Sequence, residues 1–257
     1  MLQHYFFTLP EWALTLQSSA LWLHIGTASL ALLAFWLPLA VHKRSRWHRY
    51  SGWLYSGLMA TMVVSALTSQ TLTLLDPWSV NALASDVSGE HIIAIRRTGL
   101  FLLMLCLLVG CSLWQGLRTA YWKVKRPAPT KEWLLQAAMG LTAVIAALVL
   151  ILGTINQALL LGLFALATLW LMSDMIRYWW RAQPAAWWQA HLSAMLGSGI
   201  GLYTAFGAFG GRALLQAWVG DSAIWMGWLL PSVIGTIGIS WAARRFRQLP
   251  KAKQPLA

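Results

Sequence analysis

Four of the six histidines, His24, His48, His91 and His191, stand inside or at the edges of long apolar runs, as do Asp174 and the adjacent pair Arg96 and Arg97. These residue types do chemistry in an apolar setting. Two neutral imidazoles from separate helices can bind one haem iron axially, and two such pairs at opposite faces would carry electrons across a bilayer through haem b. Two imidazoles and a carboxylate, here His48, His191 and Asp174, can instead hold Zn²⁺ or another divalent ion. Arg and Tyr beside an imidazole can hydrogen-bond a quinone headgroup, and Arg49, Arg96 and Arg97 can hold an anion or a lipid headgroup.

A structural reading of the same residues stands beside this one. At helix starts, His48 and His191 can bond to headgroups, water or free carbonyls, and Asp174 can satisfy Arg177 three residues on. His24 is deeper, where an imidazole without a partner costs more. His4 and His42 read as solvated, and Arg118 with the Lys123–Arg126 run reads as a topology determinant. No Asp, Glu or Lys falls near the middle of an apolar run, which argues against a proton-coupled transporter or an ion pump. The last run has no Lys for a retinal Schiff base. There is no C-x-x-C-H, H-E-x-x-H, G-x-S-x-G or glycine-rich phosphate loop, so no catalytic residue follows from a motif.

The elements that must position these residues are membrane helices. Of the 257 residues 58% are hydrophobic and 10% charged, and the mean hydropathy is +0.59, a composition that no water-soluble domain of this size can solvate. A net charge of +12 would suit a nucleic-acid binder only if Lys and Arg shared one solvated face. Here they form short clusters between apolar runs, so the expected partner is the lipid bilayer and no nucleic acid. Many of the 18 Trp stand beside those clusters, as an interfacial belt would. Cys106 and Cys111 share one run about 140° apart on a helix and read as packing residues.

Seven runs reach the roughly 20 residues that a bilayer core requires: 18–41, 50–75, 98–117, 133–152, 157–176, 190–211 and 223–243. The expected fold is therefore all-α, a polytopic transmembrane helical bundle forming one integral membrane domain over 1–257. HKRSRWHR, RTAYWKVKRPAPTKE and RRFRQLPKAK, with Arg177 and Arg181, lie on alternate connections from the charge-poor GTINQ and GRALLQAWVGDS. The positive-inside rule then puts the amino terminus outside and the carboxyl terminus in the cytoplasm of a bacterial inner membrane. MLQHYFFTLPEWALTLQ lacks a basic n-region and is expected to be retained. The exception is the outer loop ending in Arg96 and Arg97, whose charge Asp76, Asp86 and Glu90 offset.

That orientation sorts the polar groups into an inner set, His48, Asp174 and His191, and an outer set, His24, His91, Arg96 and Arg97, with His24 near the depth of the two Arg. Thr8 with Glu11 reads as a capping box for a short outer helix. Thr130, and Asp221 or Ser222, read as N-caps. Pro184 suits a first helical turn and Pro231 a kink. Ser193, Gly197, Gly201 and Ala205 make a four-residue-spaced strip on the sixth run that lets a neighbouring helix, in this chain or in another membrane subunit, come close.

The second run opens with HRYSGWLY, His48 to Tyr55, which resembles the His-Arg-x-x-Gly-x-x-Tyr pattern of bacterial integral-membrane families of unknown function. LWLHIGTASLAL around His24 and HLSAMLGSGIGLYTAF from His191 to Phe206 fit the same resemblance, which touches three of the seven runs. It implies that His24, His48, Arg49, Gly52, Tyr55, Asp174, His191 and Met195 are the positions to test. The His-Arg pair followed by Gly is also similar to haem A synthase, an eight-span haem enzyme. This chain departs from that pattern in lacking a Glu just before His-Arg and in having fewer spans. The expected function is a haem- or quinone-linked redox component. The alternatives are a non-enzymatic accessory or assembly subunit docking through Gly197, Gly201 and Ala205, and a carrier for an anionic small molecule or lipid.

Overall fold

The computed structural model describes residues 8–43, 45–83, 87–181 and 186–247. Among the described residues every regular element is helical. They are α1 (Glu11–Ala34), α2 (Trp36–Ala40), α3 (Arg46–Leu75), α4 (Pro77–Val80), α5 (Gly89–Trp122), α6 (Trp133–Ile155), α7 (Leu159–Trp180), α8 (Trp187–Ala205), α9 (Arg212–Val219) and α10 (Ala223–Arg247). Seven helical stretches are long and apolar enough to cross a bilayer, which makes this an all-α, multi-pass membrane protein. Each begins or ends beyond its apolar run, because the amphipathic Trp- and Arg-bearing flanks continue the helix into the interface.

The helix ends depart from expectation. α1 begins at Glu11 behind Pro10, without a side-chain cap, and runs without a break from there into the first span as far as Ala34, so the Thr8–Glu11 capping box and a separate outer helix do not form. Pro10, with φ −68° and ψ 158°, already sets the entry conformation. Thr130 lies inside a 3₁₀ turn, Pro129–Glu132, ahead of α6, and Asp221 and Ser222 lie in another, Gly220–Ser222, ahead of α10. Pro231 is inside α10, as expected. Pro184 and Asp86 lie outside the described residues.

The described residues group into two compact units, one within 1–108 and 138–173 and the other within 109–137 and 174–257. α5, α6 and α7 run from one into the other. In the first unit α1 and α3 pack antiparallel along a seven-residue repeat. Ala13, Ala20, Ala31 and Ala34 are buried on α1, with Gln17, His24 and Thr27 at the intervening positions of the same seam. Facing them, Tyr55, Met59, Met62, Ala66 and Ser69 are buried on α3. Small residues on one helix admit large ones on the other, and between lipid-solvated helices van der Waals contact and hydrogen bonds supply the attraction.

Two polar rungs fix the register. Gln17 Nε2 donates to Ser69 Oγ at 2.8 Å, and His24 Nδ1 lies 3.2 Å from the Met62 carbonyl. Seven residues forward on α1 match seven back on α3, so one register holds across both. It extends to the Leu9 N–H, which donates to Asp76 Oδ2 at 3.0 Å.

Asp76 is buried, and its Oδ1 also caps α4 by accepting the Ser79 N–H at 3.0 Å. Both of its oxygens accept from main-chain amides. Burial, the largest single influence, raises its pKa, but the hydrogen bonds from Ser79, Leu9 and Trp78 together outweigh it and hold the carboxyl below its ordinary value. A depressed carboxylate contributes stability that is present above its unfolded pKa of about 3.9 and is lost as pH falls through the folded value. The protection factor of the Leu9 amide should therefore be high at neutral pH and collapse on acidification below about pH 4. Asp76→Asn should show the low value throughout; protection independent of pH in the wild type would contradict this tether.

In the second unit the end of α5, the turn before α6 and the end of α7 are tied by polar groups. Arg118 forms a bidentate ion pair with Glu132, its Nε donating at 2.9 Å to both carboxylate oxygens, and Trp122 Nε1 donates to Glu132 Oε1 at 2.7 Å. Arg126 donates to the Tyr178 carbonyl and, at 2.7 Å, to that of Arg181, closing the carboxyl end of α7. Arg118 and Arg126 thus hold structure together as well as contributing charge. α8 ends in a π turn, Phe206–Gly210, and packs on α10, with Gly207 against Gly227 and Ile200 against Gly235. Thr204 and Ser232 hydroxyls meet between these contacts at 3.5 Å. α9 has eight residues, about 12 Å, too short to cross a bilayer core of about 30 Å.

Candidate functional site

Three imidazoles are held in the same way. His24 Nδ1 lies 3.2 Å from Met62 O, His48 Nδ1 3.0 Å from Pro38 O and His191 Nδ1 2.8 Å from Gly116 O. A carbonyl oxygen only accepts, so Nδ1 carries the proton in each ring and the neutral tautomer has its lone pair on Nε2. That is the orientation of an imidazole that acts as a base or ligand, since a tether through one nitrogen aims the other.

The surroundings differ. At the end of α2, Pro38 O accepts from His48 and also from Lys43 Nζ at 3.0 Å, while Leu39 O accepts from Lys43 at 3.1 Å. A proline-containing helix of five residues ends there, and the two side chains satisfy carbonyls it leaves open. Tyr55, seven residues beyond His48, is buried against Phe35 with ring centroids 5.7 Å apart. Arg49 between them is exposed, and a Cβ at Gly52 would touch nothing.

Around His191 the packing is tighter. Gly116 O also accepts from Thr119 Oγ1 at 3.0 Å, and a Cβ at Gly116 would lie 2.6 Å from Met195 Sδ. Only a glycine leaves room there for Met195, one turn from His191 on the same face of α8. Beside it, buried Gln115 accepts from the buried indole of Trp179 at 2.7 Å. Gly116→Ala should push Met195 away from α5 and loosen the His191 tether. An upfield shift of the His191 Nδ1–H proton resonance would register the loosening, and an unchanged resonance would refute it.

The outer set does not gather at one depth. Gly99 of α5 packs on Leu74, with Gln70 beside it, so Arg96 is one turn further out than that contact. Met62, opposite His24, lies eight to twelve residues inward of Gln70 and Leu74 along α3, about 12–18 Å at 1.5 Å per residue. His91 precedes Gly99 by eight residues, another ~12 Å outward, and is exposed on the first turn of α5. His24 is therefore not level with Arg96 and Arg97. Having α1 start at Glu11 and run in register with α3 carries it deeper. His24 and His91 stand roughly 25 Å apart along the helix axes, whereas two imidazoles on one iron bring their nitrogens to about 4 Å. His48, fourteen residues from Met62 on α3, is about 21 Å away in the other direction.

In the second unit Asp174 is exposed on α7, five residues or about 7–8 Å before Trp179. Among the described residues no group of three or more His, Cys, Asp or Glu is placed to hold a metal ion. The small-residue strip of α8 is divided in use. A Cβ at Gly201 would collide with Val109, at Gly197 it would meet nothing within 4 Å, and Ser193 and Ala205 are exposed. Sequence reasoning could not find the acceptors of the three imidazoles, because they are main-chain carbonyls. Gln115, a polar residue inside an apolar run, was the available signal for the Trp179 pair. No protein-family model, curated protein or solved structure matches the chain.

Proposed function

We propose that this protein is a quinone-linked redox component of a bacterial inner membrane, amino terminus outside and carboxyl terminus in the cytoplasm, with His24 the contact for the quinone headgroup. The observation that carries this reading is the His24–Met62 tether within the span. It fixes the imidazole through Nδ1 within the first span, with Nε2 turned away from the bonded carbonyl. Membrane quinones reside within the bilayer, and a quinol hydroxyl is a donor such a nitrogen accepts. Bound quinone would supply two-electron, two-proton chemistry; His24 would orient the headgroup by accepting a hydrogen bond from a quinol hydroxyl at Nε2.

Of the four histidines in the apolar runs, His24, His48 and His91 occupy three depths in the first unit and His191 lies in the second, so no two of the three in the first unit are spaced to share one haem iron. The spacing thus favours quinone over the haem alternative. Protein purified in mild detergent should carry extractable quinone near one equivalent and show no bis-histidine Soret band, and His24→Leu should lose the quinone while keeping its helicity. Stoichiometric haem, or quinone retained by His24→Leu, would overturn the reading. Reporter fusions at the two termini test the orientation.

A further inference from the structure

An open groove of about 480 Å³ runs between α1 and α3 in the first unit, lined by Leu16, Ser19, Ala20 and Leu23 from α1 and by Ala60, Thr61, Val64, Ser65 and Thr68 from α3. That volume is within the roughly 300–1,000 Å³ of small-molecule sites. The groove follows α3 from residue 60 to residue 68, about 12 Å, and a separate shallow depression beside Thr68 is lined by Leu67, Thr71 and Leu72. We propose that this groove holds the isoprenoid tail of the quinone whose headgroup His24 contacts, an inference that rests on that reading of His24.

Two observations carry it. First, the groove contains four hydroxyl side chains and none of their protons is available to a ligand, because each is donated within its own helix. Ser19 donates to Thr15 O at 2.8 Å, Thr61 to Gly57 O at 3.0 Å, Ser65 to Met62 O at 2.9 Å and Thr68 to Val64 O at 3.0 Å. The lining is otherwise mostly apolar, with Leu16, Leu23 and Val64 exposed along it. Such a surface rewards a narrow apolar chain by dispersion contact and gives a ligand's acceptor groups no donor.

Second, the groove adjoins the His24 position. The Met62 carbonyl that tethers His24 Nδ1 is the same oxygen that accepts from Ser65 in the groove wall, and Leu23 in the opposite wall is the residue before His24. The inner end of the groove is therefore at the depth of the imidazole, and its length leads outward from there. A headgroup at His24 has this groove beside it for a tail.

The test separates tail from headgroup. Ala60 and Ser19 line the groove and are exposed, so Ser19→Leu/Ala60→Leu fills it without entering the seam. In detergent-solubilised protein the wild type should bind decylubiquinone more tightly than the tail-less dimethoxymethylbenzoquinone. The filled variant should lose about tenfold in affinity for the tailed compound and keep its affinity for the tail-less one. Tailed binding that is unchanged by filling overturns the tail assignment. A phospholipid displaced on filling with quinone binding intact does the same and gives the groove to a lipid. Failure of the headgroup reading looks different: His24→Leu then leaves both affinities as they were, or the wild type binds neither compound, and the tail assignment falls with it.

Discussion

Arg118→Ala should destabilise the protein by about 3–4 kcal/mol, and Glu132→Ala by only about 2, although the two remove the same ion pair. The asymmetry comes from what each leaves behind. The Glu132 side chain is 3% exposed and that of Arg118 31%. Without Glu132, the Arg118 guanidinium can turn to water or headgroups and keeps the Tyr121 and Trp122 rings at 5.3 and 5.4 Å. Without Arg118, a carboxylate is stranded in a dry pocket with the Trp122 indole as its remaining donor. The double variant should be less destabilised than the sum, since neither charge is then left alone. Denaturant titration in mild detergent, following helicity, measures all three. A ranking in which Glu132→Ala is the worse, or strict additivity, would show that the pair is solvated.

That pair also marks where sequence reading reaches its limit. In the sequence Arg118 reads as one more positive charge on a connection between apolar runs. Its bond to Glu132 depends on the 3₁₀ turn Pro129–Glu132, which folds the connection back on the end of α5. A run of Pro, Ala, Thr and Lys does not announce a buried carboxylate. The seven helices, by contrast, follow from hydropathy and length alone, because lipid obliges a crossing chain to satisfy its backbone internally.

The candidate site divides along the same line. His24 stood out as a polar residue in an apolar run, and it is tethered as a functional or a merely satisfied imidazole would be. Its depth does not follow from the sequence, because depth depends on the α1–α3 register. That register is set by Gln17–Ser69 and His24–Met62, contacts between residues 52 and 38 positions apart. The seven-residue repeat of small residues from Ala13 to Ala34 was present in the sequence. What it lacked was an indication of which helix filled the opposite side.

Gly227→Ala should be among the most damaging single-methyl additions in the chain. A Cβ there would lie 2.5 Å from Gly207 O and 2.6 Å from Gly207 C. Both are backbone atoms in a helix, so no side chain can swing aside and α8 and α10 must separate. Added bulk in a packed core costs about 1–3 kcal/mol when side chains can adjust, and the upper end applies when they cannot. The crossing has a further reason to be close. Pro231 has no N–H, so the Gly227 carbonyl lacks the helical donor four residues on, and that oxygen would be 3.1 Å from a Cβ at Gly207. With glycine at 207, a Cα–H approaches the oxygen instead, a weak compensation that only the absence of a Cβ allows. Gly197→Ala is the control: it belongs to the small-residue strip that the sequence singles out, yet a Cβ there meets nothing. Alanine's better helix propensity should make it neutral or stabilising by up to about 1 kcal/mol. Unfolding midpoints for the two variants in the same detergent should therefore move apart. If Gly227→Ala unfolds no earlier than Gly197→Ala, α8 and α10 do not meet through this glycine pair.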